Sequence, residues 1–367
     1  MTVRSIPSVT RRDAMRVLGG TAGLGLLKPS GLASAFLAAP SQGRNVAFPN
    51  GAIIRTVLRD VAPEELEHGA TLFHEHLSLS DPLPPWVEPT ENGPGEVGSF
   101  TTNLDLMIDE VNATAQEGVS CIVSGGTRDL GQNFQSIRTL AQRTNMHIVV
   151  ASGLWTQPRY PPDITNKTED QIADDFLRDS REERWGAIGE IGSSLTMHPD
   201  ERKVLRASCQ VHLRTGLPLF THTPHEGCPD CALEQLDIIE SMGVDPRLVC
   251  IGHLAGITDD PGAELHKTLA ERGAFLGFDT VGHQSGQGDA EKVKMIVSVI
   301  DAGYEDHVLL SADFASEQEL KANGGAGYSS VVAVFVPKLR YAGVNEETIS
   351  KILIDNPRRF LAYTPKD

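Results

Sequence analysis

The triplet His74-Glu75-His76 follows a short apolar run, Ala70–Phe73. If that run is a strand, its side chains alternate, so His74 and His76 face one way and Glu75 the other. Two imidazoles about 7 Å apart along one face can close on a single metal ion. The pattern alone is weak, but four later apolar runs end in the same chemistry. They finish in Gly189-Glu190-Ile191-Gly192, Thr221-His222-Thr223, Gly252-His253 and Ser311-Ala312-Asp313-Phe314. Glu190 stands in the otherwise uncharged stretch Trp185–Ser194, where a buried carboxylate is costly unless paired or bound to metal. Four histidines and two carboxylates are too many for one tetrahedral ion and suit two ions sharing a bridge. Such a pair can lower the pKa of a water between them to about 7 and polarise a carbonyl or phosphoryl oxygen.

Eight apolar runs must hold these residues: Ala70–Phe73, Ser120–Ser124, His147–Ser152, Gly186–Ile191, Leu217–Thr221, Leu248–Gly252, Ala274–Phe278 and Val308–Ala312. Most are apolar throughout, as strands covered on both faces should be. Amphipathic stretches stand between them, among them Leu104–Gln116, Asn133–Arg143, Asp200–Arg214, Leu233–Met242, Ala263–Arg272 and Ala290–Ala302. Pro199 followed by two acids marks one helix start, since proline suits the first turn and acids favour its positive end. Strands alternating with helices predict an α/β fold, a (β/α)8 TIM barrel, whose sites lie at the C-terminal ends of the strands. A doubly wound sheet is the main competitor, but no Gly-x-Gly-x-x-Gly follows the first run. The proline-rich segment Ser80–Ser99, with Trp86, is expected to fold over one mouth, and Glu346–Leu361 to form a closing helix.

The chain has 367 residues, with 32 Lys and Arg against 49 Asp and Glu, and a formal charge of −17. So acidic a balance argues against nucleic acid as a partner, since phosphate neutralisation supplies most of that affinity. Hydrophobic residues at 40% exclude a disordered protein, and the length supports a core without disulfide staples. Cys121, Cys209, Cys228, Cys231 and Cys250 are too few for a disulfide scaffold. Cys228-Pro-Asp-Cys231 reads as a loop-stiffening disulfide or two idle thiols, ahead of a third metal site or a redox pair. Residues 1–35 read as a removable signal of the twin-arginine type. Arg4, Arg11, Arg12 and Arg16 precede an apolar stretch broken only by Lys28, and Ala33-Ser34-Ala35 supplies the cleavage site. Such a leader delivers a folded chain to the periplasm or beyond, leaving residues 36–367 as one barrel domain. No later segment approaches the length of a membrane span, so the mature chain is expected to work away from the membrane.

Together the motifs resemble the phosphotriesterase-related branch of the amidohydrolase superfamily, over roughly residues 50 to 362. The resemblance is carried by His74-Glu75-His76-Leu77, Ala151-Ser152-Gly153-Leu154-Trp155, Gly189-Glu190-Ile191-Gly192, Pro218-Leu219-Phe220-Thr221-His222-Thr223, Cys250-Ile251-Gly252-His253, Ser311-Ala312-Asp313 and Asn356-Pro357-Arg358-Arg359-Phe360-Leu361. It implies a centre of two divalent ions, usually zinc, with manganese or cobalt as alternatives. His74, His76 and Asp313 would hold the more buried ion, and His222 and His253 the more exposed one. In the best-known members a carboxylated lysine bridges the ions. Here Glu190 takes that place, as in a sub-branch whose substrates are poorly settled, and a native carboxylate needs no carbon dioxide. Asp313 is then placed to accept the proton of the attacking water and return it to the leaving group, with His253 as a next carrier. The resemblance also raises a homodimer, which no residue pattern here demands.

Substrate choice should sit in the loops. Trp155 matches an aromatic that lines the family's pocket. Arg128 and Asp129 either meet a polar substrate group or pair with each other. His225 and Phe314 are further rim candidates, with His283 and Trp86 beside them. The leading expectation is a metal-dependent hydrolase of a carboxylic ester, lactone or N-acyl amide in a small molecule. A phosphotriesterase stands second, because Glu190 replaces the lysine. A non-catalytic periplasmic binding barrel stands third, because all six ligand positions are filled.

Overall fold

The computed structural model describes residues 46–80, 84–86, 99–257, 260–282 and 288–366. The leader, most of the first loop and His283 lie outside the described residues. Eight strands form one sheet in sequence order: β1 (Ala70–Glu75), β2 (Val119–Ser124), β3 (His147–Ser152), β4 (Ala187–Gly192), β5 (Leu219–His222), β6 (Val249–Ile251), β7 (Phe275–Phe278) and β8 (Val308–Leu310). Every neighbouring pair from β1 to β8 is parallel. One helix follows each of the first seven strands: α1 (Leu104–Gln116), α2 (Phe134–Arg143), α3 (Glu169–Glu182), α4 (Pro199–Thr215), α5 (Pro229–Ser241), α6 (Glu264–Glu271) and α7 (Asp289–Asp301). This is the (β/α)8 barrel that the alternation of runs predicts. Among the described residues β8 and β1 share no ladder. Their seam is stitched instead by the Asp313 N–H donating to the His74 carbonyl (3.2 Å) and the His74 N–H donating to Ser311 Oγ (3.0 Å).

Alternation within the strands separates two cores. Leu72, Ile122, Ile148, Ile188, Leu219, Ile251, Leu276 and Leu310 pack outward against the helices. Phe73, Val123, Val149, Ala187, Phe220, Cys250, Phe275 and Leu309 fill the barrel. Both faces are dry, which is why the runs read as continuous apolar sequence.

The chain end plugs the barrel floor. After β8 come α8 (Val336–Tyr341), α9 (Glu346–Ser350) and α10 (Asn356–Leu361), with π-helical turns at Val331–Phe335 and Lys351–Asp355. Each π turn directly precedes a proline-bearing helix start, Val336-Pro337 or Asn356-Pro357. Proline lacks an N–H and crowds the preceding turn of a regular α-helix, and the wider turn relieves both. The expected closing helix therefore runs unbroken through α9 and α10. Phe360 sets its ring against Phe275 (5.6 Å) and Phe73 (6.5 Å), and Asn356 Nδ2 donates to the carbonyls of Glu305 and Val308, both at 2.8 Å. Helix α5 starts four residues before the expected Leu233, because Pro229 suits its first turn and Cys228 Sγ accepts the Cys231 N–H at 3.2 Å. Among the described residues no helix is long and apolar enough to cross a membrane.

Candidate metal centre

Two strands break their alternation where they meet the site. The β1–β2 register shifts between Leu72 and Glu75, and the β4–β5 register shifts between Ile188 and Ile191. Each irregularity changes which face the next side chain takes. Phe73 and His74 therefore both face the barrel axis, as do Ala187 and Glu190. Glycines leave the room: a Cβ on Gly125 would stand 2.5 Å from His74 Cδ2, and one on Gly189 (φ +141°) would stand 2.5 Å from the Phe220 carbonyl oxygen.

The six expected ligands form one cluster, in which four histidines converge on Glu190. Its Oε2 lies 2.9 Å from His222 Nδ1, 3.2 Å from His253 Nε2 and 3.5 Å from His74 Nε2, and its Oε1 lies 3.6 Å from His76 Nε2. Asp313 Oδ1 lies 2.8 Å from His76 Nε2 and 3.6 Å from His74 Nε2. Three sets of three potential donors each lie within 4.8 Å of one another: His74, His76 and Asp313; His222, His225 and His253; and His74, His253 and Asp279. His74 Nε2, which faces Glu190 and Asp313, is buried without a hydrogen-bond partner. Such an orphaned atom costs about 1–3 kcal/mol, and an ion accepting the imidazole lone pair removes that cost. Nitrogen and carboxylate donors in this number fit zinc, manganese or cobalt.

Two buried carboxylates outside the expected ligand set, Asp279 and Glu75, brace the cluster. Asp279, immediately after β7, accepts His253 N–H (2.8 Å) and faces His253 Nδ1 and His74 Nδ1, both at 3.0 Å. It fixes both rings so that Nε2 points at Glu190. Its signal was an acid directly after the apolar run Ala274–Phe278. Glu75 faces away from its neighbours, as alternation requires, and accepts from Ser311 Oγ (2.7 Å), Ala312 N (2.8 Å) and Phe314 N (2.9 Å). Those last two amides flank Asp313. His253 (φ +57°) and Asp313 (φ +51°) both adopt the left-handed backbone that non-glycine residues avoid. Each strained ligand is thus pinned by a buried carboxylate.

The electrostatics show which groups would hold protons in the absence of ions. Burial alone would push His74 and His253 down, but the acids around them win. Glu190 and Asp279 hold His74 well above the usual histidine value, and Asp279, Glu190 and Asp313 raise His253 to about 10. Burial opposes ionisation of Glu190, Asp279 and Asp313 too. The neighbouring histidines nonetheless keep all three carboxyls below their usual range. His225 is lowered to about 4 by the charge on His253 and then by burial.

The expected substrate residues fare differently. Trp155 reaches the site, its ring edge-on to His222 at 5.1 Å. His225 also reaches it, half exposed, with Nε2 3.9 Å from Asp313 Oδ2. Arg128 does not: it turns to α3 and pairs with Asp179 (2.8 Å) and Glu183 (3.4 Å). Nor does it pair with Asp129, whose carboxylate accepts from Thr127 Oγ1 (2.6 Å) and the Trp155 N–H (3.0 Å). Phe314 is core, packed on Tyr328 (4.4 Å) and Phe100 (6.1 Å), and only 2% exposed. Trp86 donates its indole N–H to the Arg159 carbonyl at 3.0 Å. Cys228 and Cys231 form a disulfide.

A model of the phosphotriesterase family matches residues 53–361. The Escherichia coli phosphotriesterase homology protein is 29% identical over 306 residues, covering 80% of this chain and 97% of its own. The N-acetyltaurine hydrolase of Salmo salar is 27% identical over 349 residues, covering 84% of this chain and 98% of its own. Among solved structures, a resiniferatoxin-binding protein from Rhodobacter sphaeroides superposes with a TM-score of 0.76 at 29% identity, covering 86% of this chain and 96% of that one. A family match over nearly the whole barrel, with the barrel itself and its clustered metal-binding side chains, places the chain in the phosphotriesterase family of metal-dependent hydrolases.

Proposed function

We propose that the protein hydrolyses an acyl bond, an N-acyl amide or a carboxylic ester or lactone, at a centre of two divalent ions. The observation that carries this reading is the convergence of four buried histidines on Glu190, two of which also face Asp313. His74, His76 and Asp313 would hold one ion and His222 and His253 the other, with Glu190 shared. His225 is within donor distance of the second set. When bound, the ions supply Lewis acidity toward the substrate carbonyl and a nucleophilic water at neutral pH.

The chain's own residues do the rest. Asp313 faces the cluster through Oδ1 and His225 through Oδ2. It accepts the proton of the attacking water and returns it to the departing amine or alcohol. His253 is not the next carrier, because its ring nitrogens are turned to Asp279 and Glu190 and it is 1% exposed. His225, neutral and open to solvent, takes that place. The resemblance of N-acetyltaurine hydrolases over 84% of this chain puts an amide first among the acyl bonds.

A panel of N-acyl amino acids, lactones, aryl esters and phosphotriesters, offered to zinc-, manganese- and cobalt-loaded protein, tests the reading. Acyl substrates should be hydrolysed, with turnover lost on chelation and restored by metal. Asp313→Asn should lower kcat about 10²- to 10⁴-fold while most of the metal remains, and His225→Asn should lower it less. Undiminished turnover in Asp313→Asn would remove its assigned role.

A further inference from the structure

Arg159 lies on the loop after β3, four residues beyond Trp155. Its guanidinium sits over the Trp155 ring, 4.6 Å from the centroid, and that ring lies 5.1 Å from the His222 imidazole. The cation and one imidazole of the cluster therefore contact the same indole. Among the described residues its side chain makes no hydrogen bond or ion pair. By contrast Arg55, Arg184 and Arg272, part-buried as well, each pair with a carboxylate. Asp129 is close enough to be felt but spends its oxygens on Thr127 and the Trp155 amide. The Trp155 indole N–H is also buried without an acceptor among the described residues. Donors thus outnumber acceptors on this wall.

The loop is rigid where it matters. Asp129 accepts the Trp155 N–H, buried Glu201 accepts the Gln157 N–H (3.1 Å), and the Arg159 carbonyl accepts the Trp86 indole. A half-buried guanidinium has already lost part of its hydration, and burial pulls its pKa down while Asp129 and Glu190 pull it up. It stays a cation, with its fork of donors free.

We infer that Arg159, stacked on Trp155, anchors an organic anion on the substrate, remote from the scissile acyl bond. A carboxylate or sulfonate held there would lie across the indole from the metal centre, so the favoured substrates are acylated molecules with an acidic tail. The guanidinium meets both oxygens of such a group with parallel N–H donors, and the stacking fixes their plane. The turnover consequence rests on the hydrolase reading above, whereas the binding consequence does not.

The test is equilibrium binding to the metal-loaded protein by calorimetry. N-acetylated amino acids of three chain lengths are compared, each beside its uncharged carboxamide. Wild type should prefer the acid over the amide, and Arg159→Gln should weaken the acid about 10- to 100-fold while leaving the amide unchanged. Arg159→Lys should keep part of the preference. Metal content and thermal melting, measured on each variant, confirm an intact centre. In turnover, the loss should fall on KM for acidic substrates, with kcat nearly unchanged. Equal binding of acid and amide by wild type, or an unchanged ratio in Arg159→Gln, overturns the assignment. If no acyl substrate is turned over, the hydrolase reading fails and the binding ratio still decides the role of Arg159.

Discussion

Replacing Asp279 by asparagine should loosen the centre without removing a single ligand atom. Its carboxylate orients His74 and His253 together, and partners of this kind are worth about 10- to 100-fold in metal affinity. A competition assay with a coloured chelator would show that weakening, and unchanged affinity would mean the rings orient themselves. Protons should compete with the ions. In stripped protein His74 and His253 are held above the usual histidine value, so near pH 7 both carry protons that an ion must displace. Affinity should therefore rise with pH toward about 10, where His253 gives up its proton unaided. Calorimetry of zinc uptake at pH 7 in buffers of different ionisation enthalpy should read net proton release. At this scale the six residues that cluster in the barrel were legible because each stands at or just past the end of an apolar run, where an ionisable residue is conspicuous. Asp279 stands one residue past its run just as His222, His253 and Asp313 do, and it escaped because the family resemblance implied no ligand there. Arg128 misled because nothing in sequence shows that Asp179 and Glu183 lie opposite it.

Strands and helices were legible to within a few residues, because dry faces on both sides leave continuous apolar runs. The register shifts in β1 and β4 were not, since a shift depends on the neighbouring strand. They matter, because they turn His74 and Glu190 toward the axis. The C-terminal block Asn356–Leu361, one of the motifs that carry the family resemblance, is the floor of the barrel. Phe360 is fully buried against Phe73, the neighbour of His74. Phe360→Ala should cost about 3–5 kcal/mol in denaturant unfolding, the range for emptying an aromatic site in a core. A smaller loss would mean that Leu361 and Phe275 collapse into the space.

On the scale of the whole molecule, the acidic chain gathers five of its 12 histidines, His74, His76, His222, His225 and His253, in one cluster, with Arg159 nearby over Trp155. The leader, outside the described residues, remains our proposal for how the enzyme reaches the periplasm. Changing Arg11 and Arg12 to lysine should hold a tagged protein in the cytoplasm. Delivery that continues unchanged would point to another route.

The seam between β8 and β1 carries one more implication. His74 and Ser311, which meet there, are 237 residues apart in sequence, and Asp313 lies just beyond. A ribosome must therefore release almost the entire chain before the buried ion has its full set of donors. Capture of an ion by all of these donors would come late in synthesis or after it. If the protein crosses the membrane already folded, the metals of the cytosol decide which ion it carries out.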